Sequence, residues 1–266
     1  VNQTPFDLAA EAADFLRSHF GCDRIDLALV LGSGWSSGAD QLGEPLGEIE
    51  LGEVPGFSKP VVSGHGGALK LVRTAGGKIA AIFTGRTHYY EGRGVEPVVH
   101  GVRTAAAWGA QTLVLTNGCG GLDPAWAPGT VVLLSDHINL TGDTPLRGAT
   151  FIDLSEAYSK RLRDLAHGVD ASLPEGVYVQ FRGPQYETPA EVRMAGVLGG
   201  DLVGMSTTLE TIAAREADLE VLGLSLVTNA AAGLSETNLD HTEVLQAGKD
   251  AGPRLAALLA GIVGEL

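Results

Sequence analysis

The chain has 266 residues, of which 19% are charged and 44% hydrophobic, and a formal net charge of −14. That length allows one large domain or two modest ones, no apolar run approaches the ~20 residues that cross a bilayer, and the opening Val1-Asn-Gln-Thr-Pro-Phe-Asp-Leu lacks the basic-then-apolar pattern of a secretory signal. The acidic balance argues against a broad nucleic-acid surface, which needs a basic stripe, and two distant cysteines, Cys22 and Cys119, suit a reducing cytoplasm without a disulfide framework.

In chain order, residues 4–20 predict an amphipathic helix with Phe6, Ala9, Ala10, Ala13, Phe15 and Leu16 on its apolar side. A buried strand follows at 26–31, then a Gly- and Pro-rich stretch over 41–68 read as loop and short strand. Strands are expected at 69–73 and 78–84, a helix from about Val95 to Trp108, and strands at 112–116 and 130–134. Residues 135–152 read as a long polar connection, of the kind that often carries function. Beyond it come a helix at 155–167, a strand at 176–181, a helix after Pro189, a strand at 201–205, a helix at 207–217, a strand at 219–228 and a closing helix from about His241 to Gly261. Strands alternate with helices and no repeat or linker interrupts them. The prediction is a single α/β domain over 1–266, with a mixed, mainly parallel twisted sheet flanked by helices.

Four strand ends share one chemistry. The strand at 78–84 runs into Gly85-Arg-Thr-His-Tyr-Tyr-Glu91, where Arg86 and His88, two apart, aim a guanidinium and an imidazole the same way. Arg offers a planar fork of donors that fits an oxyanion; a surface ion pair beside a capped loop is the other reading. Three further strands end in Gly32-Ser33-Gly34, Gly118-Cys119-Gly120-Gly121 and Ser206-Thr207-Thr208. Glycines allow close backbone approach, and hydroxyls and helix N-termini favour negative charge. Together they predict a phosphate-holding crevice at the carboxyl edge of a sheet. Arg93 and Arg103 read as solvated helix-face charges, and His19, His100 and His167 as surface or packing residues.

In order and spacing, these motifs resemble the trimeric class of purine nucleoside phosphorylases over nearly the whole chain. The segments that carry the likeness are Gly32-Ser-Gly34, Gly64-His-Gly66, Gly85-Arg-Thr-His-Tyr-Tyr-Glu-Gly92, Thr116-Asn-Gly-Cys-Gly-Gly-Leu122 and Ser135-Asp-His-Ile-Asn-Leu140. Downstream are Gly183-Pro-Gln-Tyr-Glu-Thr188, Val203-Gly-Met-Ser-Thr207, Leu226-Val-Thr-Asn229 and His241-Thr-Glu-Val-Leu245. The resemblance implies a nucleoside phosphorylase fold, a homotrimer, and phosphorolysis of inosine, guanosine and their deoxy forms in purine salvage. Inorganic phosphate would be a co-substrate, with no metal or organic cofactor. It implies phosphate contacts from Ser33, Arg86, His88, the Gly118 backbone and Ser206, with His65 in a loop folded over the phosphate. Glu187 and Asn229 would hold the purine, with Tyr186 and Met205 lining its apolar faces and those of the ribose. Tyr90 and His241 would meet the sugar hydroxyls. Tyr178 and Phe151 are further ribose-site candidates, Phe151 reaching into a neighbouring subunit, against a core-aromatic alternative for both. Catalysis would fall to Asn229, Glu187 and His88.

Each residue also has a plainer reading. Ser33 could be a strand-to-helix turn, Glu187 a solvated residue before a helix, Asn229 a turn bridge, and His241 an exposed neighbour of the capping Asp240. Ala230 stands where mammalian members carry lysine, and Gly118-Cys119 where two alanines are common. A 5′-methylthioadenosine phosphorylase would want aspartates near Asn229, and xanthosine would place an oxygen against Glu187. A dinucleotide turn fails on glycine spacing, no G-x-S-x-G is present for a serine hydrolase, and a non-catalytic nucleoside-binding module would have no need of Arg86 and His88.

Overall fold

The computed structural model describes residues 3–57, 67–234 and 241–266, and for residue 37 and residues 241–245 the backbone alone. Helix α1 (Pro5–Phe20) starts where Thr4 and Asp7 exchange side-chain and backbone hydrogen bonds in a capping box, with Pro5 in the first turn. Strand β1 (Leu27–Val30) is followed by β2 (Glu44–Glu50), β3 (Ala68–Arg73) and β4 (Ile79–Phe83), then α2 (Glu96–Ala107) and β5 (Thr112–Gly121). The second half comprises β6 (Val131–Asn139), α3 (Lys160–Val169), β7 (Glu175–Gln180), α4 (Pro189–Val197), β8 (Leu202–Gly204), α5 (Thr208–Glu216), β9 (Glu220–Ala230) and α6 (His241–Glu265).

The strands form one sheet in the order β2-β3-β4-β1-β5-β8-β7-β6-β9, and a further pairing of β5 with β9 closes the last five into a ring. Among the described residues, the pairs β1–β4, β1–β5, β5–β9, β6–β7 and β7–β8 are parallel, and β2–β3, β3–β4, β5–β8 and β6–β9 are antiparallel. Mixed and mainly parallel therefore describes it. Helices cover both faces. Residues of α1, α2 and α5 (Leu16, Val102, Ala213) pack with Ala28 and Val30 of β1, whereas residues of α3 and α6 (Leu162, Leu255, Leu259) pack with Leu27 and Leu29. Both faces of β1 are buried, so its sequence is an unbroken apolar run rather than an alternating one.

Two predicted strands run longer in the structure, each for a traceable reason, and the helix expected at 155–167 starts only at Lys160, after its cap Ser159. The expected strand at 112–116 continues through Gly118-Cys-Gly-Gly121, because β9 pairs with it as far as Ala230. Those glycines sit within the sheet because it is crowded there: a Cβ on Gly121 would lie 3.0 Å from Val227, and one on Gly120 would lie 3.1 Å from Val203. Likewise β6 runs on to Asn139 by pairing with β7, across a register shift between Leu134 and Asp136. The polar residues 135–139 thus belong to a strand, and the connection that follows reaches α3 only at Lys160.

Candidate active site

The ends of β1, β4, β5, β8 and β9 converge on one cavity, which holds about 710 Å³ of empty space counted out to its open mouth. Its walls include Ser33, Arg86, His88, Tyr90, Gly118, Tyr186, Glu187, Met205, Ser206 and Asn229. Ten of the residues singled out from the sequence are therefore brought together in one place.

Arg86 lies beyond the end of β4 with its side chain 3% exposed. Its Nε donates to Glu210 at 3.1–3.2 Å and its Nη1 to the Thr116 carbonyl at 2.6 Å. Its Nη2 is buried and has no hydrogen-bond partner among the described residues. Close approach fixes this arrangement: a Cβ on Gly32 would stand 2.7 Å from Nη1 and 2.6 Å from the Thr116 carbonyl, so only glycine fits beside the guanidinium. Beyond Gly32, Trp35 is buried and donates its indole N–H to the Asn117 carbonyl at 2.9 Å, which holds the turn carrying Ser33 against β5. His88 stacks on Tyr90 with ring centroids 4.7 Å apart, and burial pushes the Tyr90 phenol above its ordinary range.

At the β8–α5 corner, the Ser206 hydroxyl lines the cavity, 3.1 Å from the Thr207 hydroxyl, and the backbone amides of the corner are engaged elsewhere. The Ser206 N–H donates to the Tyr178 hydroxyl at 3.2 Å, Thr207 N–H to Glu210 at 3.1 Å, and Thr208 N–H to the Gln180 side chain at 2.9 Å. The resemblance implies a phosphate contact from the Ser206 hydroxyl. These amides are already satisfied, so an anion would meet the Ser206 side chain here.

The corner is also strained. Thr207 has φ 78° and ψ −50°, and Thr208 N–H donates to the Ser206 carbonyl at 2.9 Å. This is a γ-turn of the rare, high-energy hand, and its central residue is β-branched. Asn117 of β5 braces it by donating from Nδ2 to the Thr207 hydroxyl at 2.9 Å.

Glu187 is 7% exposed and its Oε1 has no hydrogen-bond partner among the described residues; burial raises the carboxyl above the ordinary glutamate range. On β9 the register against β5 jumps between Cys119 and Gly120, which pair with Val227 and Asn229, leaving Thr228 as the bulged residue. A bulge lets successive side chains share a face, and both Thr228 and Asn229 line the cavity. Asn229 Oδ1 accepts from the Thr228 hydroxyl and its Nδ2 donates to the Ala230 carbonyl, each at 2.8 Å.

Four site readings change or fall outside. Tyr178 is fully buried in the core, so it is not a ribose wall; its hydroxyl instead accepts the Ser206 amide. Phe151 is 92% exposed, which excludes a core role, and it does not line this chain's cavity. His65 and the side chain of His241 lie outside the described residues. Among the cations, Arg103 is buried rather than solvated: it pairs with Glu96 and Glu216 and lies 4.5 Å from the Phe6 ring. Sequence reading missed Glu210, Thr207, Asn117 and Thr228. For Glu210 a signal existed in the Thr-x-x-Glu spacing of a capping box.

The family model of the phosphorylase superfamily matches residues 26–264. A purine nucleoside phosphorylase from a Cellulomonas species is 62% identical over 262 residues, covering 97% of this chain and 93% of that protein. The chain belongs to the purine nucleoside phosphorylases. Among solved structures, a Schistosoma purine nucleoside phosphorylase in complex with hypoxanthine matches with a TM-score of 0.88 at 32% identity, covering 97% of this chain and 96% of that one. Isoform 2 of the Schistosoma mansoni enzyme, in complex with cytosine and ribose-1-phosphate, matches with a TM-score of 0.90 at 30% identity and 99% of both chains. The phosphorylase cleaves purine nucleosides with phosphate. Among its described residues, no helix is long and apolar enough to cross a membrane.

Proposed function

We propose that this phosphorylase acts on 6-oxopurine ribonucleosides and deoxyribonucleosides, inosine and guanosine foremost, releasing the base and α-(deoxy)ribose 1-phosphate. The observation that carries the reading is a matched pair of orphans in one cavity: the buried guanidinium Nη2 of Arg86 and a buried carboxylate oxygen of Glu187, neither with a partner among the described residues. Buried polar groups are nearly always satisfied, so such a pair marks groups kept for a ligand. The donor suits a phosphate oxygen. The acceptor suits the N1–H of a 6-oxopurine and, in guanine, the 2-amino group. Adenine offers only a lone pair at N1 and would leave Glu187 unpaired, at a cost of about 1–3 kcal/mol.

In the proposed reaction, Arg86, His88, Ser33, Ser206 and the Gly118 amide seat the phosphate dianion under C1′ of the sugar. The glycosidic bond lengthens, positive charge grows on the ribose, and the bond's electron pair moves to the purine. Glu187 anchors the base, and Asn229 stabilises it as N7 takes up a proton from solvent. A phosphate oxygen then bonds to C1′ on the face opposite the departing base, with inversion. Stabilisation of developing charge by groups held in place accounts for the acceleration. Phosphate itself is the nucleophile, and the scheme calls for no metal or organic cofactor.

The remainder of the reading is a homotrimer working in cytoplasmic purine salvage, in which Phe151, exposed on one subunit, enters the ribose site of the next. Tyr186 and Met205 would flank the base, and Tyr90 and His241 the sugar hydroxyls. A panel of inosine, guanosine, xanthosine, adenosine and 5′-methylthioadenosine, assayed with and without phosphate, tests the reading. Phosphate-dependent cleavage of the first two is expected, and preference for an adenine nucleoside would overturn it.

A further inference from the structure

Glu210 does not line the cavity, yet it touches two elements that serve it. One carboxylate accepts from Arg86 Nε at 3.1–3.2 Å and from the Thr207 amide at 3.1 Å, and both charged side chains are almost fully buried, at 2% and 3% exposure. As the glutamate of a capping box it has an ordinary structural explanation for the Thr207 contact. That explanation does not cover Arg86, which comes from the far end of β4, 124 residues away in sequence. With Nε held by Glu210 and Nη1 held by the Thr116 carbonyl, the guanidinium plane is fixed and Nη2 is left without a partner among the described residues.

We infer that Glu210 is a positioning residue for phosphate, aiming Arg86 and pinning the strained Thr207 turn that presents Ser206, so that one group sets both contacts. The inference rests on the phosphate reading proposed above. An opposing electrostatic effect exists, because removing a negative charge beside Arg86 would strengthen its attraction for a dianion. Glu210→Gln decides between the two. Glutamine keeps the size but turns one acceptor into a donor, so it confronts either Arg86 Nε or the Thr207 N–H with a second donor, whichever way the amide is turned.

The test is steady-state kinetics with inosine and phosphate varied in turn. Positioning predicts that Glu210→Gln raises KM for phosphate about tenfold or more, the scale of one lost charge-assisted hydrogen bond, while KM for inosine moves less than about twofold. Glu210→Asp, which keeps the charge but shortens the reach, is expected to raise the phosphate KM alone by a smaller factor, and it serves if the glutamine variant does not fold. Thr207→Gly supplies the coupling readout. Glycine takes that backbone conformation unaided, so Glu210→Gln is expected to raise the phosphate KM by a smaller factor in the glycine background than in the wild type. A phosphate KM that stays level or falls would overturn the inference, as would equal rises in both KM values. Wild-type cleavage of inosine that ignored phosphate would remove the phosphate reading itself, and this inference with it.

Discussion

The Thr228 hydroxyl stands 2.8 Å from Asn229 Oδ1, and these two neighbours on β9 share the cavity because the bulge at Thr228 cancels the usual alternation of side chains. The same hydroxyl lies 3.1 Å from the Cys119 carbonyl, and its single proton serves only one of the two acceptors at a time. Asn229→Ala removes the group proposed to stabilise the leaving base. By analogy with the loss of one oxyanion donor, turnover is expected to fall by about 10²–10³-fold, with circular dichroism and melting temperature little changed. Thr228→Val, which removes the orienting hydroxyl alone, is expected to lower turnover by a smaller factor.

Glu187 carries the pH prediction. Burial lifts its carboxyl above the ordinary glutamate range, so on acidification it gains a proton before an exposed glutamate would. The protonated form has lost an acceptor and is a poorer partner for a purine N1–H. As pH falls, kcat/KM for inosine should therefore drop with an acid limb lying above the usual carboxylate range. Glu187→Gln should lower kcat/KM at neutral pH by about 10–100-fold, equivalent to roughly 1–3 kcal/mol, and should flatten that limb. A limb that survives in the glutamine variant would assign it to another group.

Tyr178 tests the support beneath Ser206. Tyr178→Phe preserves the ring in the core but leaves the Ser206 amide without its acceptor. A buried, unsatisfied N–H costs about 1–3 kcal/mol, and at about 2–4 °C per kcal/mol for a domain of this size the melting temperature should fall measurably. KM for phosphate should rise while KM for inosine changes little. A shift in the nucleoside KM alone would restore Tyr178 to the ribose site.

Phe151 tests the assembly. An aromatic ring 92% exposed gives a chain by itself no stability to lose, so Phe151→Ala should leave the unfolding of isolated subunits unaltered. In the proposed trimer the same change should raise KM for nucleoside several-fold. Light scattering of the wild type at assay concentration supplies the subunit count, and a monomer with full activity would exclude the shared site.

Much of this architecture was legible in sequence, because strands buried on both faces, such as Leu27–Val30, leave continuous apolar runs and helices such as Pro5–Phe20 carry their own caps. That Ser33, Arg86 and Ser206 would meet was legible because each follows such a strand, and all three line the cavity; Asn229 was implied by the family resemblance alone. What escaped reading depends on partners distant in the chain. The glycines of β5 join a strand because β9 pairs with them. Arg103 is buried because Glu96, Glu216 and Phe6 surround it. Thr207 adopts a backbone that its own side chain disfavours; its amide has a local acceptor in Glu210, but the Asn117 donor to its hydroxyl comes from 90 residues away.

The central claim is that Arg86 keeps its buried Nη2 for phosphate, at a site shared with the Ser206 hydroxyl. A crystal structure of the protein soaked in inorganic phosphate measures this directly. The account predicts a phosphate oxygen within hydrogen-bond distance of Arg86 Nη2 and another within reach of Ser206 Oγ. Phosphate seated elsewhere, with Arg86 Nη2 still unpartnered, would contradict it.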